Sequence, residues 1–195
     1  MKFNYYAFRA MYLHEMDRFR RTLMQSLFSP VLSTSLYFIV FGSVIGGYVE
    51  KIDGISYGSY IVPGLLMLTL LTQSISNTSF GIFFPKFNGT IYEILAAPIS
   101  TFEIVLAFVG AGATKTLIVG VVIFITATFF VEVQVMYPLL MIFLLVLVAF
   151  TFALFGFLID KGFSIEQIAT ISGIYISTAL VFLFFVRNKL IPSKI

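Results

Sequence analysis

The sequence predicts an all-α integral membrane protein: an N-terminal interfacial amphipathic helix, four transmembrane helices, a fifth short or re-entrant apolar segment, and a short helix between the second and third spans. Three observations predict this. The 195 residues are 59% hydrophobic and 11% charged, whereas a soluble domain carries roughly a quarter of its residues charged, so lipid must solvate much of the surface. Uncharged runs of bilayer length, about 20 residues, recur along the chain. Between them lie polar breaks whose Lys and Arg content alternates.

Residues 1–25 are read as the interfacial helix. Lys2, Arg9, Arg18, Arg20 and Arg21 make five of the twelve Lys and Arg. Tyr5, Phe8, Tyr12, Met16, Phe19 and Leu23 step by threes and fours, which draws one apolar stripe along a helix. Arg9, Asp17 and Arg20 fall away from it. Such a helix lies in the headgroup boundary, its apolar face in lipid and its arginines towards anionic headgroups. The plainer alternative is an N-terminal helix packed on the spans.

Thr22 to Val49 holds no charged residue, and span one is placed at 27–48. Pro30 falls in its first turn, where a missing N–H costs little. The run is too long for a signal-peptide core and shows no clear small-residue cleavage site, so it is read as an anchor. Glu50, Lys51 and Asp53 make a short loop. Span two follows at 57–83 with Pro63-Gly64 inside it, a kink tolerated in lipid when neighbouring helices satisfy the freed carbonyl. Span three is placed at 110–130. Glu132 and Pro138 mark a loop, and span four covers 137–159. Asp160, Lys161 and Glu166 break the chain before an atypical fifth apolar segment at 168–186, and Arg187, Lys189 and Lys194 follow. Without a fixed-period repeat or low-complexity segment, 1–195 reads as a single membrane domain.

Basic residues favour the cytoplasmic side. That rule puts the N-terminus in the cytoplasm, the loop near 49–56 outside, residues 84–109 back in the cytoplasm, and the loop at Glu132 outside. A fifth crossing would carry the basic tail outside. Either that segment is re-entrant or the tail is not a normal end.

The stretch from Phe87 to Ile104, FNGTIYEILAAPISTFEI, is longer and more patterned than a connection needs. Gly89-Thr90 can start a helix with Thr90 as its N-cap. Glu93 suits the positive end of the first turn. Ile91, Ile94 and Leu95 share one face. Pro98 stops the helix, and Ser100 with Glu103 forms a capping box for the next one. A short amphipathic helix with an exposed acid at the inner membrane surface is a handle for another protein; the alternative is a connector lying on lipid.

YIVPGLLM at 60–67, GTIYEILAAPIS at 89–100 and GAGATKTLIVG at 110–120 resemble the permease subunits of ABC type-2 exporters, in the bacterial branch of YadH-like and nodulation-type permeases. The resemblance runs in order through residues 1–159, and the middle motif is its most specific part. It implies a coupling helix at 89–98, carried by Gly89, Thr90, Ile91, Glu93, Leu95 and Pro98, that seats in a groove of a separate ABC ATPase subunit. Glu93 matches the acidic position of that motif. It further implies an N-terminal helix that touches the ATPase, and a bacterial inner-membrane location. A second permease copy or a paired permease would complete the path. Members of the family carry six spans and are longer. The tail after Leu158 follows their plan only in part, which points to a truncation or an altered reading frame near 160–185.

GAGATKT at 110–116 is not a phosphate loop, because Thr114 stands where that pattern needs Gly before the Lys-Ser/Thr pair. The chain therefore has no ATPase motif of its own and needs no cofactor; ATP and Mg²⁺ would be bound by the partner. Lys115 is read as a snorkelling lysine, stem in the acyl region and ammonium among headgroups, with a place on the transport path as the alternative. Gly110, Gly112 and Ala113 suit close helix packing. In span two, Thr69, Gln73, Ser76 and Asn77 lie near one face, where they either bond helices together or line the path.

His14 is the only histidine, and there is no cysteine. Thiol chemistry is excluded, and one His beside Glu15 offers neither a metal cluster nor a nucleophile with its base. No catalytic residue, metal ligand or nucleic-acid surface is assigned. The expected function is transport of an amphipathic substrate (drug, lipid or glycan) by alternating access. The alternatives are a small channel and a membrane-embedded lipid-modifying enzyme.

Overall fold

A computed structural model describes residues 3–45, 51–52, 55–131 and 138–160. The fold is all-α. The helices are α1 (Tyr5–Arg21), α2 (Leu23–Tyr37), α3 (Tyr57–Phe87), α4 (Ile91–Ala96), α5 (Thr101–Phe130) and α6 (Pro138–Asp160). A π-helical stretch, Phe38–Ile45, continues α2. Two-residue strands β1 (Lys51–Ile52) and β2 (Ile55–Ser56) pair antiparallel in the loop read around Lys51. The expectations placed on Lys2, Glu50, Asp53, Glu132, Lys161, Glu166, the segment 168–186 and the basic tail lie outside the described residues.

Among the described residues four helices, Leu23–Phe41, Tyr57–Phe87, Thr101–Phe130 and Pro138–Leu158, are long and apolar enough to cross a membrane. Pro138 is the first residue of α6, where its fixed φ suits a helix and its missing N–H is not needed. The helix capped at Ser100 and Glu103 leads into the third span as one element. It starts at Thr101, nine residues before Gly110, and runs unbroken for 30 residues. At 1.5 Å per residue α5 is about 45 Å long. That exceeds a hydrocarbon core of about 30 Å, so part of the helix projects beyond the lipid.

The most apolar window of α5 is 56% buried, against 17%, 28% and 22% for α2, α3 and α6, so α5 is the central post. Helices α3 and α6 both pack on it and on each other. The buried residues of α3 recur every four positions, at Val62, Leu66, Leu70, Ser74, Thr78 and Ile82, one inclined row of a helix surface. Leu66 and Leu70 meet Val119 and Ile123. Ala113 meets Ala149 and Ala153, all three fully buried. The opposite faces carry exposed Leu139, Ile142 and Phe143 on α6 and Val121 and Ile125 on α5, as lipid-facing helices require.

Helices α1 and α2 run beside α5 in its own direction. The contacts ascend together: the Asn4 N–H donates to Glu103, the Tyr12 hydroxyl to Thr114 Oγ1 at 3.0 Å, Leu27 packs by Val119 and Ile123, and Phe38 stacks on Phe130. Only Thr22 separates the two helices, with φ −104° and ψ 16°. This corrects the expectation of a stripe turned wholly into lipid. Tyr5 at its start is exposed, but Phe19 is 5% exposed and packed on protein.

Candidate functional site

The short helix α4 hangs on two local devices. Gly89 adopts φ 78°, the left-handed conformation in which glycine avoids the Cβ penalty and closes helices. Its N–H reaches the Lys86 carbonyl at 3.2 Å. Gly89 therefore ends α3, and its carbonyl also accepts the Tyr92 N–H of α4 at 3.2 Å, so it serves both helices. Thr90 holds the N-cap position of α4 but makes no side-chain cap bond; its backbone is already helical, φ −63° and ψ −18°, unlike the extended conformation a capping side chain needs. At the other end Ala97 is extended, ψ 148°, as a residue before proline must be, and Pro98 is exposed.

Ile91 is half-buried, and Ile94 packs on Ile82, Ile104 and Phe108. Leu95 does not join them. It is 64% exposed, beside Tyr92 at 73%, and Glu93 is exposed too. One turn of helix is too narrow to bury three apolar positions against a single neighbour, so Leu95 faces outward with the acid. The outer face of α4 is thus Tyr92, Glu93 and Leu95: an aromatic, a carboxylate and an aliphatic with no described chain over them.

Beneath α4 the cap of α5 does two jobs. One oxygen of Glu103 accepts the Ser100 N–H at 2.9 Å, the reciprocal half of a capping box. The other accepts the N–H of Asn4, whose own side chain caps α1 through the Ala7 N–H. Glu103 is 2% exposed. It ties the start of α1 to the start of α5, a role its local spacing does not reveal.

The strongest electrostatic feature lies further along. Lys115 Nζ donates to Glu15 Oε2 at 2.7 Å, and both side chains are nearly fully buried. Arg18 reaches the same oxygen at 3.0 Å. Lys115 is therefore not snorkelling. It stands fifteen residues, about 22 Å, from the far end of α5, and its ammonium is paired inside the bundle with Glu15 of α1. The pair has a sequence signal: a lone lysine in a hydrocarbon-length run, and an acid at the i+3 and i−4 positions of Tyr12 and Phe19 on the apolar stripe of α1.

In span two, Asn77 Nδ2 donates to Thr116 Oγ1 at 3.5 Å, linking α3 to α5. Gln73, one turn earlier, is half-buried, and Ser76 is exposed. Thr69 bonds its own helix, at the Leu65 carbonyl. The polar contacts from α3 to α6 are instead Ser74 to the Ala149 carbonyl and Ser79 to the Gly156 carbonyl, which the sequence pattern did not single out. Asn77→Leu is expected to lower stability by about 0.6 kcal/mol, the mean for such membrane bonds, with Gln73→Leu near neutral. Thermal unfolding in detergent measures both. A loss of transport without a loss of stability would instead place the pair on the substrate route.

Residues 6–193 match the family described as ABC-2 type transporter. Over 152 residues the chain is 38% identical to the inner membrane transport permease YadH of Escherichia coli K12, and equally to the YadH proteins of Escherichia coli O6:H1 and Shigella flexneri. The aligned part is 78% of this chain and 59% of each relative. No solved structure matches it.

Proposed function

Because the chain belongs to the ABC-2 type transporter family, we propose that it is the permease subunit of an ATP-driven exporter of the bacterial inner membrane. Two permease units, alike or paired, frame the path. A separate ATPase chain binds ATP and Mg²⁺ and seats on α4. The substrate is an amphiphile: a drug, a lipid or a glycan. The observation that carries the reading is the outer face of α4, where Tyr92, Glu93 and Leu95 stand exposed together at one end of the bundle.

The packing supports a mechanism of coupled motion. Ile94 roots α4 in the cluster of Ile82, Ile104 and Phe108, which belong to α3 and α5. A push on α4 thus passes to two spans at once. Alternating access requires the ATPase to hold α4 differently in its two nucleotide states. Met11 packs on the same cluster, so α1 moves with them, and the N-terminus and α4 share the cytoplasmic side.

Glu93→Arg is the direct test. It is expected to leave membrane insertion intact and to weaken co-purification with the ATPase encoded beside it by about 30-fold or more, the equivalent of about 2 kcal/mol for an inverted interfacial charge. Undiminished co-purification of the mutant would remove α4 from the interface.

A further inference from the structure

A groove of about 630 Å³ opens between α1, the end of α3 and α4, and it is separate from the outward face of α4. Its floor is apolar: Met11, Phe84, Pro85, Ile94 and Phe108. Its rim is polar and mostly basic, with Arg18, Arg21 and His14 on α1 and Asn88 and Thr90 opposite. Arg18 is held in place on both sides. Its guanidinium lies 5.8 Å from the centre of the Phe84 ring, within cation–π range, and it bonds Glu15 at 3.0 Å. Arg21 donates its Nε–H to the Asp17 carbonyl at 3.4 Å, and its two terminal nitrogens carry the other four N–H donors.

Glu15 also lines the groove. It is 2% exposed. Lys115 and Arg18 both bond Oε2, while Oε1 is buried without a hydrogen-bond partner among the described residues. Such an atom is costly unless something donates to it. A carboxylate oxygen only accepts, and no donor of the described residues reaches this one.

We propose that this groove holds the headgroup of an anionic glycerophospholipid. Its phosphodiester pairs with Arg18 and Arg21, and the start of an acyl chain lies over Phe84 and Phe108. Two features select this occupant. Glu15 is already matched by Lys115 and Arg18, so positive charge is in excess at the rim and calls for an anion. The apolar floor, to which the membrane-crossing α3 gives Phe84 and Pro85, suits a chain that inorganic phosphate lacks. The proposal stands apart from the exporter reading, since it concerns lipid held by this chain alone.

The test is native mass spectrometry of the full chain in detergent, titrated with phosphatidylglycerol, phosphatidylcholine or inorganic phosphate. Phosphatidylglycerol is expected to be retained in preference to phosphatidylcholine, and inorganic phosphate not to displace it. Arg21→Gln is expected to reduce retention about fivefold, the worth of one arginine near an anionic lipid. Arg9→Gln, on an exposed position of the same helix outside the groove, is expected to leave it unchanged. Equal losses from the two variants would mean diffuse surface charge and overturn the site. Equal retention of phosphatidylcholine would reduce it to an apolar cleft, and displacement by phosphate would make it an ion site. Both of those results would also overturn the proposal. Arg21 makes no contact with Glu15, so its replacement leaves the buried pair in place as a control on folding.

Discussion

Glu15→Leu is expected to destabilise the protein by about 4–5 kcal/mol, because it leaves Lys115 charged and unpaired in a site where the side chain is 4% exposed. Removing one partner of a buried pair costs about 3–5 kcal/mol, more than the pair itself is worth. The reverse change, Lys115→Met, is expected near the lower end, about 3 kcal/mol, because Arg18 still reaches Glu15 Oε2 at 3.0 Å. The double variant Glu15→Leu with Lys115→Met should recover most of the loss. Two apolar side chains of similar volume replace the ions without stranding either, and Arg18, 27% exposed on its side chain, can turn to water or headgroups. Unfolding in detergent, followed by helicity, measures all three. Additive losses in the double variant would show that the two residues do not act as a pair. Since α1 meets α5 through this pair and through Glu103, Glu15→Leu is also expected to release α1 first, visible as faster proteolysis after Arg18, Arg20 and Arg21.

Gly156→Ala is the second large effect. A Cβ there would stand 2.6 Å from the carbonyl oxygen of Ile75 and 3.0 Å from its Cα. These are backbone atoms of α3 and cannot rotate away. Helix α6 must back off, and with it go the bonds from Ser74 and Ser79 to α6 carbonyls. The expected cost is about 2–3 kcal/mol, the upper range for overpacking. Gly64→Ala is the matched control. Nothing lies within 4 Å of its Cβ, so it should gain up to about 1 kcal/mol from helix propensity. Thermal unfolding of the two variants side by side gives the comparison. A similar small change in both would mean that α3 and α6 are not in close backbone contact.

These two predictions rest on features of different legibility. The glycines and alanines of GAGATKT were readable as packing residues from their size. Gly112 does press on Thr78, whose hydroxyl would lie 2.1 Å from an added Cβ. Gly156, with the tightest backbone contact, carried no such local signal, since one glycine in an apolar run looks like any other. The acid of α1 was visible as a residue out of place on its stripe, and Lys115 as a charge out of place in its span. Their separation of 100 residues hid that each was the other's answer. The same holds for Glu103. Its spacing from Ser100 announces a helix cap, and nothing local announces that its second oxygen belongs to Asn4.

What the sequence determined alone is whatever depends on length and period: an all-α membrane protein, where its apolar runs lie, a helix start at Ser100, a break at Pro98, and the acid on the short helix between the second and third spans. Those properties follow from backbone hydrogen bonding in lipid, which each segment must satisfy by itself, and so they are written within each segment. Tertiary structure alone decided which helix stands at the centre, that α1 lies along α5, and which polar atoms meet. Pairing energies act between residues far apart in the chain, and side chains of one type and spacing can serve many partners. Only the packed bundle brings the single acid of the α1 stripe to the single lysine of α5.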